Sequence, residues 1–155
     1  MDVLKFAIDM EHDGERYYKK QAGENADNAL AVVFLSLADD EKRHAALLEK
    51  KLAGLPAETD AEPKSYRNVF DHAADYMSAI DRKQLDVYRA ALEMEEKSVN
   101  LYKKLRDEMP ESQALFSLLI AEEEKHYNLM DLLVRLTVRP EEWVESAEFG
   151  VRDEY

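Results

Sequence analysis

Apolar residues along this chain recur at steps of three and four, the spacing of helix faces, and not on alternate positions as in strands. One stripe reads Leu4, Ala7, Glu11, Gly14, Tyr18, and a second reads Phe34, Leu37, Glu41, His44, Leu48. A third runs through Tyr88, Leu92 (Ala91 beside it), Glu95, Val99 and Tyr102, and a fourth through Phe116, Leu119, Glu123, His126 and Met130. Breakers separate these stripes. The first helix is predicted over about Val3 to Ala22, ended by "GEN" at Gly23 to Asn25. The second is expected to take Asp27 as its N-cap, to reach about Ala53 and to stop at Gly54. "LPAETDAEPKS" then reads as linker, part of a crossover over 54–80 with one short helix in "YRNVFDHAADYMSAI". The third helix covers about Asp81 to Met109. Pro110 suits the first turn of the fourth, which is predicted to end near Val138, ahead of Pro140. The tail over 140–155 reads as a helical turn and a docking segment anchored by Trp143 and Phe149.

The stripes are related in pairs. "AIDMEHDGERYYKK" (Ala7–Lys20) aligns without a gap to "ALEMEEKSVNLYKK" (Ala91–Lys104), matching Glu11 to Glu95 and Tyr18 to Tyr102. "FLSLADDEKRH" (Phe34–His44) aligns to "FSLLIAEEEKH" (Phe116–His126), with Phe, Leu, Glu and His coinciding; the second hairpin loop is two residues shorter. Residues 1–139 are therefore expected to be all-α: two related helical hairpins joined by a long crossover. That is the connectivity of a ferritin-like four-helix bundle.

Composition narrows the function classes. A chain of 155 residues fits one domain with a sizeable core, and four Gly and four Pro are too few for a turn-rich β protein. Zero Cys excludes disulfides, thiolate metal sites, iron–sulfur clusters and cysteine nucleophiles. The net charge of −13 argues against nucleic acid and anionic membrane surfaces as partners. No apolar run is long enough to span a bilayer, and acids interrupt the apolar part of the N-terminus, so no export signal is read and the cytoplasm is the expected location.

The stripes also carry the candidate chemistry. Glu11, Glu41, His44, Glu95, Glu123 and His126 lie among large apolar residues, where an isolated carboxylate costs several kcal/mol. Four acids and two imidazoles at one level need compensating positive charge, which two divalent ions supply. One Glu from each of two helices and Glu-x-x-His from each of the other two is the ligand set of a di-iron or di-manganese carboxylate site. Without thiolate, nothing selects a softer metal. Glu41 and Glu123 are expected to bridge the ions, Glu11 and Glu95 to be terminal, with one histidine on each metal. Asp40 and Glu122 are placed to orient the histidine of the opposite helix, and Tyr18 and Tyr102 to hydrogen-bond a ligand carboxylate across the bundle. Asp39, Lys42 and Arg43 read as solvated surface, His12 and His72 as surface or linker histidines, and Met10, Met94 and Met130 as core filler.

Through "AIDMEHDGERYY", "LADDEKRH", "ALEMEEKSVNLY" and "AEEEKH" the chain resembles the rubrerythrin-like branch of the ferritin-like superfamily over residues 1–138; "RPEEWVESAEF" looks like the ending of its short, cysteine-free members. The resemblance implies a non-haem di-iron protein that reduces hydrogen peroxide or oxygen, in protection against oxidative stress, with the same six residues as ligands. Two departures stand out. Full-length rubrerythrins carry a cysteine-ligated rubredoxin iron, so this chain would need an external electron donor such as a rubredoxin-type protein. They also place a further glutamate one turn after the third-helix ligand, where Ser98 stands here. A di-manganese, catalase-like enzyme is the alternative that needs no donor. An iron-binding or storage-type protein, or an interaction bundle without turnover, is the alternative outside catalysis. A homodimer is the expected assembly.

Overall fold

A computed structural model describes residues 2–56 and 80–149, with side chains over 3–56 and 80–138. Among them are four α-helices and no strand: α1 (Asp2–Glu24), α2 (Leu30–Leu52), α3 (Leu85–Glu108) and α4 (Gln113–Phe149). α1 packs along α2 and α3 along α4, so the chain forms two helical hairpins. No helix of the described residues is long and apolar enough to cross a membrane.

The helix ends follow local hydrogen-bond chemistry. α2 stops as expected at Gly54, whose φ of 75° suits a residue without a Cβ. The Gly54 and Leu55 amides donate to the carbonyls of Lys51 and Lys50 at 3.0 and 2.8 Å, closing a Schellman motif. α1 runs past Gly23 to Glu24 because Asn25 closes it: its backbone amide and its side-chain Nδ2 both donate to the Gln21 carbonyl, at 3.1 and 2.8 Å. Asn28, not Asp27, serves the start of α2, accepting from the Leu30 amide at 2.8 Å. Two 3₁₀ turns lead into the second hairpin. Arg82–Gln84 precedes α3, with the Asp81 side chain accepting from the Lys83 amide, and Pro110–Ser112 precedes α4.

The fourth helix departs most from expectation, continuing through Pro140 to Phe149. Proline removes one amide donor, here the one that would reach the Leu136 carbonyl, yet its fixed φ is compatible with a helix. Trp143 and Phe149 lie beyond the residues whose side chains are described, as does the short helix expected in the crossover.

The core is built in three layers. At one end Leu4, Ala7, Ile8, Leu47 and Leu48 of the first hairpin meet Val99, Leu105, Phe116 and Leu119 of the second. At the other end Ala22, Leu30, Val33, Phe34 and Leu37 meet Tyr88, Ala91, Leu129, Met130 and Leu133. Each large buried side chain, such as Phe34 or Phe116 at 0% exposure, contributes roughly 1.5–3 kcal/mol by leaving water. Glu11, Glu41 with His44, Glu95, and Glu123 with His126 fall between these plugs on their own helices. The polar groups thus occupy the middle of the bundle, sealed above and below by hydrocarbon.

Candidate metal centre

The four stripes bring all six candidate ligands to this middle layer, and none is more than 3% exposed. His44 Nδ1 lies 3.5 Å from Glu11 Oε1, 3.4 Å from Glu41 Oε2 and 3.5 Å from Glu123 Oε1. His126 Nδ1 lies 3.3 Å from Glu95 Oε2, 3.1 Å from Glu123 Oε1 and 4.0 Å from Glu41 Oε2. Adjacent ligands around one ion at ~2.1 Å sit roughly 3 Å apart, so these separations are near those of a coordination shell.

The ligand atoms fall into two groups, Glu11/Glu41/His44/Glu123 and Glu41/Glu95/Glu123/His126, with the atoms of each within 4.8 Å of one another. Glu41 and Glu123 belong to both, the arrangement needed for two carboxylates to bridge two cations. Burial leaves Glu11 Oε1, Glu41 Oε2, Glu95 Oε1, both Glu123 carboxylate oxygens and His44 Nδ1 without a hydrogen-bond partner. A buried oxygen or nitrogen without a partner costs about 1–3 kcal/mol, more if charged. So many converging on one layer fit a pair of divalent ions.

The surrounding groups repeat across the two hairpins. Tyr18 donates its hydroxyl proton to Glu95 Oε2, and Tyr102 donates to Glu11 Oε2. Each ring stacks on the matched phenylalanine of its own hairpin: Tyr18 on Phe34 with centroids 6.1 Å apart, Tyr102 on Phe116 at 6.2 Å. His44 Nε2 meets Glu122 Oε1 at 2.7 Å, and His126 Nε2 meets Asp40 Oδ2 at 2.9 Å. A carboxylate can only accept, so each histidine carries a proton on Nε2, and the neutral ring then presents the Nδ1 lone pair to the centre. Tyrosines and acids therefore reach from one hairpin to the ligands of the other.

The roles of Gly14 and Arg43 were not legible from the stripes. A Cβ at Gly14 would stand 2.7 Å from Glu41 Oε1, so the glycine leaves room for the shared carboxylate. Arg43 lies at the surface as its charge implied, but it is also tied to two buried acids. Its Nη2 donates to Glu122 Oε1 at 2.5 Å and to Asp40 Oδ1 at 3.3 Å, although the side chain remains 42% exposed. Asp40 lies three residues before Arg43 on one helix, so the i,i+3 pairing was the available signal. His12, by contrast, stays at the surface beside Glu15 and Glu49, and His72 lies outside the described residues.

Electrostatics in the layer favour protons wherever metal is withheld. Burial pushes the Glu41 carboxyl well up, and the charges of Glu11, Glu123 and Glu95 push the same way. Burial, Glu11 and Glu95 raise Glu123 to about 8. Burial opposes charge on His44 and His126, but Glu11 and Glu95 respectively outweigh it, and both titrate above their ordinary value. Glu11 is held low, its burial outweighed by His44. Glu122 is held at about 2, because hydrogen bonds from His44 and Arg43 overcome the cost of burying it.

The sign of the pH dependence follows. Glu41, Glu123 and the two histidines bind protons more tightly folded than unfolded, so their stabilising effect in the metal-free protein is lost as pH rises. The loss begins above the ordinary carboxyl value of 4.5 and extends through the value of about 8 for Glu123. The melting temperature of metal-free protein is therefore expected to fall from about pH 5 to 8, and added divalent metal to raise it most at the upper end, because binding displaces those protons. Scanning fluorimetry with chelator or with Mn(II) checks this, and a flat metal-free profile contradicts it.

The family model whose description is Rubrerythrin matches residues 2–134. No curated protein and no solved structure matches the chain.

Proposed function

Since the chain belongs to the rubrerythrin family, a ferritin-like di-iron family, we propose that its middle layer holds two iron ions and reduces hydrogen peroxide or oxygen. Glu41 and Glu123 would bridge the ions, Glu11 and His44 would complete one coordination shell, and Glu95 and His126 the other. The observation that carries this reading is the pair of overlapping ligand groups sharing those two carboxylates. Hard carboxylates with one imidazole each favour iron or manganese. Bound as a ferrous pair, iron would provide two electrons, enough with two protons to convert one peroxide into two waters.

The chain's own residues do the rest. Tyr18 and Tyr102 hold the Glu95 and Glu11 carboxylates, which would restrict their rotation when they serve as metal ligands. Glu122 and Asp40 hold the two imidazoles with Nδ1 inward. Exposures of 3% or less for the six ligands leave no face for an organic substrate, which favours a small inorganic oxidant with two oxygen atoms. Electrons would come from an external donor such as a rubredoxin-type protein, since no residue is cysteine. The setting would be protection against oxidative stress in the cytoplasm.

Anaerobic loading with Fe(II) followed by peroxide tests the reading. Two Fe(II) per chain should be oxidised per peroxide consumed, with ferric absorption growing in the near ultraviolet. Iron that binds but leaves peroxide untouched would sink the proposed reaction while leaving the centre standing. The lack of cysteine also favours a second reading, a manganese pair that disproportionates peroxide without any donor. Oxygen release from manganese-loaded protein with no reductant present would select it.

A further inference from the structure

The acids behind the two histidines are not separate features. His44 Nε2 donates to Glu122 Oε1 at 2.7 Å, and that same oxygen accepts from Arg43 Nη2 at 2.5 Å. Arg43 Nη2 lies 3.3 Å from Asp40 Oδ1, while Asp40 Oδ2 accepts from His126 Nε2 at 2.9 Å. The path His44–Glu122–Arg43–Asp40–His126 crosses between the two hairpins three times. The repeat places Lys125 where the first hairpin has Arg43.

We infer that Arg43 is a positioning residue shared by both metal positions: its single charge holds Asp40 and Glu122 together, and through them sets both imidazoles. The inference rests on the two-metal reading above. Its physical basis is the coupling between a metal-binding histidine and the acceptor on its other nitrogen, which fixes ring orientation and donor strength. Asp40 and Glu122 have side chains only 3% exposed and accept from neighbouring histidines of a small ring pair, 6.0 Å between centroids. Two carboxylates so close repel each other once both histidines are neutral ligands. A cation donating to both removes that repulsion and gives each acid one preferred rotamer. Without it the two acids would repel each other, and both rings would lose the fixed orientation of their acceptors together.

Co(II) titration tests the inference, because coordinated cobalt reports each binding step in its visible spectrum. The full-length wild type should take up two Co(II). In Arg43→Met, which keeps the hydrocarbon stem but not the charge, both steps should weaken by about 10–100-fold, the usual loss when such outer partners are removed. Arg43→Lys should recover most of the affinity, since one positive nitrogen makes both contacts. Asp40→Asn should weaken chiefly one step. Calorimetry of the metal-free variants separates positioning from stability: a purely structural role would lower the melting temperature of Arg43→Met and leave both binding steps unchanged, which overturns the inference. Loss at one step only, or an Arg43→Lys variant as weak as Arg43→Met, overturns it too. A wild type that binds fewer than two Co(II) defeats the two-metal reading itself, and the inference with it.

Discussion

Glu123→Met is expected to lose metal from both positions and to melt higher than the wild type when both are metal-free. The two effects have one cause. Glu123 is 0% exposed, both its oxygens lack hydrogen-bond partners, and its pKa is pushed up to about 8. Keeping such a carboxyl folded at pH 7, against an ordinary value of 4.5, costs on the order of 3 kcal/mol. Methionine has a similar length, no charge and no hydrogen bond to satisfy, so it removes that cost and fills the space. For a chain of this size the gain corresponds to roughly 6–12 °C. The same change takes a ligand from both groups, since Glu123 belongs to each. Affinity should therefore fall by more than the ~100-fold that loss of an outer partner causes. Calorimetry with chelator and metal titration together check the pair of outcomes. A metal-free variant that melts lower would mean that Glu123 is supported by the fold and not strained by it.

Gly14→Ala is expected to separate affinity from stability in a different way. The added methyl would stand 2.7 Å from Glu41 Oε1, closer than a contact can persist, and a tight 3.3 Å from its Cδ. The backbone at Gly14 is ordinary helix, so alanine itself should stabilise α1 by up to about 1 kcal/mol. The side chain that must yield is a carboxylate at the end of a flexible stem, and in metal-free protein it can turn aside cheaply. With metal it cannot, because Glu41 is the other carboxylate common to both groups. Affinity should drop at least tenfold at both positions while metal-free stability holds or rises. The repeat supplies a comparison: Ser98 occupies the matched place in α3 and donates to the Met94 carbonyl at 3.2 Å, so the second hairpin tolerates a side chain there. Unchanged binding in Gly14→Ala would show that the open space beside Glu41 has no role.

These two residues mark where the sequence was readable. Glu123 could be picked out because helical geometry leaves little freedom: steps of three and four put Phe116, Leu119, Glu123 and His126 on one face whatever surrounds them. The internal repeat then pairs each Glu-x-x-His with a glutamate one helix earlier, and it also aligns Asp40 with Glu122 and Tyr18 with Tyr102. Gly14 was visible on its stripe, but nothing in the chain says which side chain would lean into the space a glycine leaves. Arg43 was rightly placed at the surface, but its pairing with Asp40 and Glu122 was not visible, because charge alone does not say which acids a long side chain reaches. The helix ends failed for a related reason. Asn25 and Asn28 act through hydrogen bonds that depend on how the loop closes, and a rule that favours Gly23 and Asp27 cannot anticipate that. The fourth helix passes Pro140 because proline penalises a helix without forbidding it.

The most direct test is a metal count. Full-length protein reconstituted anaerobically with excess Fe(II), desalted and analysed by mass spectrometry for metals should hold two iron ions per chain, and Glu123→Met handled in parallel should hold almost none. A wild-type chain that retains no iron or a single ion, or a Glu123→Met variant that keeps two, would contradict a paired metal centre built on Glu41 and Glu123.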